Sequence, residues 1–407
     1  MQRDDNFSAF PKDFLWGSAT ASYQVEGGIE NNDWALAARR GKVPVCGKAC
    51  DHYNRYEQDF DIARTIGHNA HRFSIEWSRI EPEEGKFDHN EIEHYRKVLQ
   101  ALKTRNLEPF VTLWHFTIPE WFSKKGGFLS PDSVHIFSRY CEFVIMHLGN
   151  EAKFWMTMNE PLIYANGSYL RGNWPPFKKS IFSYLKIIKN LVRAHKEAYT
   201  KIKKVKPTLQ VGIAKHNMDF GAQNFLYKPA ELFMRWFWNH RFIEKVRGYQ
   251  DFIGLNYYIH AVIGGKGGIS HVLGAWVGGE KQAQKIEYSE MGWEIYPEGI
   301  RNVLLELKKY NLPIYITENG LADATDTKRA DYIKNYLREV GNAIAQGVDV
   351  QGYFYWSLLD NYEWAFGFLK RFGLVDVNFD TQTRTIRPSA YVYKEIINMV
   401  AQSNSKL

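Results

Sequence analysis

Eight short apolar runs, nearly every one followed by a longer amphipathic run, constrain this chain more than any other feature of its sequence. The β-type runs fall at 14–21, 71–77, 109–116, 154–159, 210–215, 252–258, 313–317 and 352–358. The amphipathic runs fall near 52–66, 90–105, 132–149, 181–205, 229–246, 297–310, 327–346 and 389–400. Strands separated by helices pair in parallel through right-handed crossovers. An open doubly wound sheet is one solution. Eight such units in 407 residues fit a closed (β/α)8 TIM barrel with inserted βα loops better. The alternation is broken by no low-complexity linker and by no repeat of roughly 20–50 residues, so the α/β fold is expected as one domain over 1–407. The main insertion is the Gly-rich loop at 259–287.

Several helices carry their own punctuation. Pro131-Asp132 opens the third and Gly149 ends it. Tyr53, Tyr56, Phe60, Ala63 and Ile66 mark one face of the first, and Gly67 follows. Pro388 stands at the start of the last, where a missing N–H costs nothing.

Charge and composition exclude whole classes. Hydrophobic residues make up 45% and charged residues 24%, which rules out wholesale disorder. No window approaches the roughly 18 apolar residues of a membrane span. Three cysteines cannot build a disulfide framework, and an odd number fits a reducing compartment. The first residues, Met-Gln-Arg-Asp-Asp-Asn, show no secretory signal, so a cytoplasmic protein is expected. Lys and Arg exceed Asp and Glu by 52 to 45, but much of the excess lies between Lys186 and Lys206. There Ile181, Leu185, Ile188, Val192, His195, Tyr199 and Ile202 recur as one apolar helical stripe. The lysines and Arg193 fall on the other faces, which reads as a solvated surface and not a nucleic-acid site. The aromatic fraction of 15% suits sugar rings, and it suits a large packed core equally.

In a barrel, active sites collect at the strand ends. Gln24 and Glu26 follow the first run, and Arg72 and Glu76 lie in the second. His115 ends the third, Asn159-Glu160-Pro161 the fourth, and Asn256-Tyr257-Tyr258 the sixth. Thr317-Glu318-Asn319-Gly320 ends the seventh. Trp356 ends the eighth, with Asp360, Glu363 and Trp364 beyond. Glu160 and Glu318 close two strands in the same way, after Phe-Trp-Met-Thr-Met-Asn and Ile-Tyr-Ile-Thr. Strands four and seven face each other across a barrel mouth. Two carboxyls so placed can cleave a glycosidic bond, one protonating the leaving oxygen and one acting at the anomeric carbon.

These residues carry a resemblance. The chain resembles glycoside hydrolase family 1, the β-glucosidase/β-galactosidase family, from Phe10-Pro-Lys-Asp-Phe-Leu-Trp-Gly17 to Arg387-Pro-Ser-Ala-Tyr391. The motifs are Phe14-Leu-Trp-Gly-Ser-Ala-Thr-Ala-Ser-Tyr-Gln24-Val-Glu-Gly27, Arg72-Phe-Ser-Ile-Glu-Trp77 and Thr112-Leu-Trp-His115. They continue with Thr157-Met-Asn159-Glu160-Pro161, Ile316-Thr-Glu318-Asn-Gly320 and Trp356-Ser-Leu-Leu-Asp-Asn-Tyr-Glu363-Trp364. The resemblance implies that Glu160 is the acid/base and Glu318 the nucleophile of a retaining β-glycosidase. It implies that Gln24, His115, Asn159, Glu363 and Trp364 bond the hydroxyls of the terminal sugar, over a floor at Trp356. Arg72, Asn256 and Tyr258 match groups around the nucleophile. No metal and no cofactor is implied.

The chemistry agrees with those roles. A retaining pair stands about 5–5.5 Å apart, leaving no room for water between nucleophile and sugar. Arg72 and the Tyr258 hydroxyl are expected to hold the Glu318 pKa down, and the Glu318 charge to hold that of Glu160 up. Glu160 stands where the thioglucosidase branch carries Gln. Glu363-Trp364 match the enzymes of unphosphorylated sugars. Phe116 replaces a Trp common in relatives. The expected partner is a small-molecule β-glycoside with a gluco, galacto or fuco sugar; a homo-oligomer is left open.

Two rivals stand beside this reading: a transglycosidase, and a sugar-binding barrel without turnover. Cys46, Cys50 and His52 invite a metal site, but two structural cysteines in a loop explain them as well. His195 reads as a packed core residue. Trp174 is either an entrance residue or a loop anchor, and Trp276 is a weaker case of the same kind.

Overall fold

The computed structural model describes residues 6–264 and 287–404. Eight parallel strands close a barrel in sequence order. They are β1 (Leu15–Ala19), β2 (Ala70–Ser74), β3 (Glu108–Thr112), β4 (Phe154–Asn159), β5 (Gln210–Ala222), β6 (Phe252–Ile263), β7 (Ile314–Asn319) and β8 (Val350–Trp356). Closure is made by β1 against β8, with Leu15 beside Gly352 and Ala19 beside Trp356. All eight expected strands are present. β5 and β6 run well past their expected ends, pairing as far as Ala222 and Ile263. The expected loop at 259–287 therefore starts as strand. Its glycines from Gly265 onward, and Trp276, lie outside the described residues.

Long helices follow where the amphipathic runs predicted them, among them His52–Thr65, Ser133–Leu148, Ile181–Val205 and Arg329–Ala345. The run at 229–246 is less regular: Lys228–Arg235 passes through a π-helical turn, Trp236–His240, into Arg241–Lys245. Gly67 adopts φ 89° after its helix, as a C-terminal glycine does. Gly149 instead stays right-handed at φ −62°. A Cβ there would come within 2.5 Å of the Ile145 carbonyl oxygen, so close approach explains this glycine. The sequence stripe of Ile181–Val205 begins one turn early. Ile188, Val192, His195 and Ile202 are buried, but Ile181 and Leu185 are 50% and 44% exposed.

The aromatic residues divide between core and site. Phe110, Phe154, Phe252, Tyr315 and Phe354 fill the lower barrel, with Phe110 and Phe154 stacked at 4.3 Å. Such a plug supports the strand ends above it. After β8 the chain makes a small antiparallel pair, β9 (Val375–Val377) with β10 (Arg384–Ile386). The buried Arg387 guanidinium grips both Asp360 oxygens at 2.9 Å and anchors the loop after β8. Among the described residues, no helix is long and apolar enough to cross a membrane.

Candidate active site

A pocket with about 450 Å³ of empty space opens at the C-terminal ends of the strands. Gln24, His115, Asn159, Glu160, Tyr258, Glu318, Trp356, Glu363 and Trp364 all line it. Arg72 and Asn256 lie just behind, hydrogen-bonded to its carboxyls. Every candidate site residue is therefore brought to one place.

Local backbone aims the two carboxyls. Glu160 follows β4 with φ 42°, left-handed for a residue with a side chain. Pro161 after it disfavours the right-handed helical alternative, and the Glu160 N–H is held by the Ala214 carbonyl at 2.8 Å. Phe116 and Trp364 also have positive φ, at 75° and 47°. Three strained residues in one pocket mark where the surrounding structure dictates geometry. Glu318 lies near the end of β7. Beyond it a Cβ on Gly320 would meet the Trp356 carbonyl oxygen at 1.8 Å, so only glycine lets the two strand ends converge.

The environments of the two carboxyls differ. Glu318 Oε1 accepts from Arg72 Nη1 at 2.5 Å, and Oε2 from the Tyr258 hydroxyl at 2.9 Å. Glu160 Oε1 accepts from the neutral Asn256 amide at 2.8 Å. Burial raises both pKa values above the ordinary carboxyl range. At Glu318 this overturns the expected downward shift: Arg72, Tyr258 and Asn256 oppose the desolvation without cancelling it. At Glu160 the Glu318 charge adds to burial. The carboxyl bonded to the cation loses its proton first, and its neighbour keeps one.

Around them stand polar atoms without partners among the described residues: Gln24 Oε1, His115 Nδ1 and Glu363 Oε2. The Gln24 amide is turned by its own N–H donors, which reach Asn361 Oδ1 and the Tyr362 carbonyl. Arg72 and Asn256 both donate to Asn159 Oδ1, so the Asn159 amide nitrogen points at His115 Nε2, 3.3 Å away. An amide nitrogen donates, so Nε2 accepts and His115 Nδ1 carries the hydrogen. Burial keeps that imidazole neutral. The His115 ring lies nearly parallel to Trp356 and Trp364, at 5.9 and 6.1 Å. Burying polar atoms without partners is expensive, and a polyhydroxylated ring supplies them together with C–H faces for the indoles.

Other strand-end residues are used elsewhere. Glu76 accepts from Ser22, Ser78 and Thr117, and Glu26 from Arg79 and Tyr95, away from the pocket. Trp174 is buried against Trp34, Phe116 and Trp364, which makes it a loop anchor. Cys46 and Cys50 donate to separate carbonyls, of Tyr23 and Asp360, while His52 turns to Asp59. His195 is satisfied inside the protein by Thr157 and the Tyr249 carbonyl.

His216, Ile259, Trp293 and Phe372 also line the pocket, and sequence reasoning missed them. The apolar run at 210–215 stops just before His216, whereas β5 continues to Ala222. Continuing its alternation would have reached His216. No comparable signal marked Trp293, which lies in a loop.

Barrel, carboxyl pair and sugar-shaped lining together define an O-glycosyl hydrolase. The profile of glycosyl hydrolase family 1 matches residues 6–222 and 238–401, and the chain belongs to that family. It is 34% identical to beta-glucosidase A of Acetivibrio thermocellus, over 95% of this chain and 98% of that protein. A solved beta-glycosidase from Pyrococcus horikoshii superposes with TM-score 0.87 at 38% identity, covering 96% of this chain and 95% of the other. The beta-glucosidase from Thermotoga maritima in complex with deoxynojirimycin gives the same TM-score at 32% identity, covering 96% and 98%.

Proposed function

We propose that the protein removes terminal β-D-glucosyl residues, and β-D-galactosyl or fucosyl ones, from small glycosides and oligosaccharides with retention at the anomeric carbon. The observation that carries this is the inequality of the two carboxyls in one pocket. Glu318 holds the cation and is the nucleophile. Glu160 holds the proton and is the acid/base.

In the first step a Glu318 oxygen bonds the anomeric carbon while the glycosidic C–O bond breaks. The Glu160 proton goes to the leaving oxygen, so an alcohol departs and a glycosyl ester remains. Esterification removes the Glu318 charge, and the Glu160 pKa falls. Glu160 then takes a proton from water as the water oxygen attacks the same carbon. The ester C–O bond breaks, and both carboxyls return to their starting states. Gln24, His115, Asn159, Glu363 and Trp364 hold the sugar hydroxyls above Trp356. Arg72, Asn256 and Tyr258 keep the carboxyls aimed.

The whole chain is read as one catalytic unit. Three unpaired, buried thiols support a cytoplasmic setting. The relatives named beta-glucosidase A and beta-glycosidase support the substrate class. The test is turnover of 4-nitrophenyl β-D-glucoside, galactoside and fucoside by the wild type and by Glu318→Ala. The wild type is expected to hydrolyse at least one, and the variant none. A fluoro-sugar inactivator is expected to label Glu318. Wild-type turnover by Glu318→Ala would reject the mechanism.

A further inference from the structure

We propose that His216 is the residue that recognises a hydroxyl of the leaving sugar, which directs the enzyme toward saccharide and not purely apolar leaving groups. The proposal rests on the retaining β-glycosidase reading above and deepens it.

The argument begins with position. The groups that hold the terminal sugar come mainly from the ends of β8, β1 and β3. The acid Glu160 stands across from them on β4, and a leaving group departs on the side of the acid. His216 lies on the neighbouring strand β5, in register with Asn256, the residue that bonds Glu160. It lines the same pocket together with Ile259, Trp293 and Phe372. Tyr258 ties this side to the nucleophile, because its hydroxyl bonds Glu318 and its ring lies parallel to the His216 ring, 6.2 Å away. Phe372 packs edge to face against Tyr258, and Trp293 packs against it at a tilt. This wall is aromatic and apolar except for one imidazole.

The second part of the argument is the state of that imidazole. Trp238 Nε1 donates to His216 Nδ1 at 3.4 Å. An indole nitrogen only donates, so Nδ1 accepts and the hydrogen sits on Nε2. The ring is 3% exposed, and the next residue, Lys215, is buried beside it with its ammonium on the His216 carbonyl. Burial first and the Lys215 charge second push the imidazole pKa down to about 3. His216 therefore presents a neutral N–H throughout the working range. Nε2 has no hydrogen-bond partner among the described residues. A neutral donor in an aromatic wall fits a sugar ring: an apolar C–H face on the indole and phenyl groups, and one hydroxyl on the imidazole.

The facing charges are accounted for on each neighbouring element. Glu160 stands on the β4 side, Tyr258 on β6, Glu318 with Arg72 on β7 and β2, and Lys215 on β5 itself. Lys215 bonds the His216 carbonyl, and the Tyr258 ring lies parallel to the imidazole.

The experiment compares cellobiose, whose leaving sugar carries hydroxyls, with 4-nitrophenyl β-D-glucoside, whose leaving group carries none. The readout is the ratio of kcat/KM on the two. His216→Phe keeps an aromatic ring beside Tyr258 and removes the donor, and this ratio is expected to fall about tenfold, the worth of one neutral hydrogen bond. His216→Gln restores a neutral N–H donor and is expected to recover part of the ratio. The ratio is expected to be lower in His216→Phe than in the wild type at every pH between about 5 and 8, since the imidazole itself is neutral throughout that range. A ratio that stays at the wild-type value in His216→Phe overturns the proposal. So does a loss shared equally by both substrates, as a purely structural role would give. A wild type inert on both substrates would instead remove the glycosidase reading itself, before any variant is considered.

Discussion

Arg72 Nη1 lies 2.5 Å from Glu318 Oε1, and both side chains are closed off from solvent. The same guanidinium donates to the Thr317 carbonyl, Asn159 Oδ1 and Thr112 Oγ1. One cation thereby ties β2 to β3, β4 and β7, and it bonds only one of the two carboxyls. In the mechanism proposed above, this asymmetry sets which carboxyl attacks and which donates a proton.

Arg72→Met is expected to lower kcat by about 10²–10³-fold, the scale of losing a preorganised charge partner. With the cation gone, protonated Glu318 is favoured and its pKa rises. The acid limb of the kcat/KM profile therefore moves to higher pH. A profile recorded across that limb checks the sign, and an unmoved limb argues against the ion pair as the tuning device.

The proposed mechanism needs Glu160 protonated, and burial and the Glu318 charge lift its pKa. Activity is expected to persist above the ordinary carboxyl range and to fall as pH rises through the lifted value. Glu160→Ala should abolish this alkaline limb and lower kcat by about 10²–10⁴-fold on alkyl glycosides. On a dinitrophenyl glycoside, whose leaving group needs no proton, the first step should be nearly spared. Equal losses on both substrates would contradict the assignment.

Glu363 has its pKa pushed up to about 8, by burial first and by the Glu318 charge second. In the unfolded chain it titrates near the usual carboxyl value. Its contribution to stability is therefore full below that value and is lost as pH rises through about 8. A thermal unfolding series from about pH 5 to 9 should show Tm falling less steeply in Glu363→Gln than in the wild type. The same substitution should reduce kcat/KM on the glucoside by about 10-fold, since it replaces the carboxyl proposed to bond the sugar hydroxyls.

Asp360 and Arg387 form a buried bidentate pair between the loop after β8 and the start of the last helix. Removing one partner strands a charge inside the protein. Arg387→Met is expected to destabilise the fold by about 3–5 kcal/mol, measured by urea unfolding. The loop that carries Glu363 and Trp364 hangs on this pair, so KM should rise as well.

Much of the site was legible because its signals are local. Asn159-Glu160-Pro161 and Thr317-Glu318-Asn319-Gly320 each follow a β-type run, and a strand end in a barrel is a site address. The resemblance then placed Gln24, His115, Glu363 and Trp364 in the same pocket. His216 lies just past the apolar run at 210–215, in the part of β5 that only pairing with β6 extends. Trp293 escaped because a loop has no period to read. The helical stripe at Ile181 and Leu185 misled for the opposite reason: a spacing says which residues share a face, not how far the neighbouring layer extends.

The sequence by itself determined the alternation of strands and helices, the barrel that eight such units imply, and the polar residues at the strand ends. Those follow from periodicity and composition within short windows. Only the tertiary structure decided how these residues meet. Arg72 and Glu318 are 246 residues apart, and Gln24 and Asn361 are 337 apart. It also decided that Glu318 is lifted and not lowered in pKa, and that Glu363 and His216 shift in opposite directions. Desolvation depends on what every other element places around a group, and closing the barrel is what sets those surroundings.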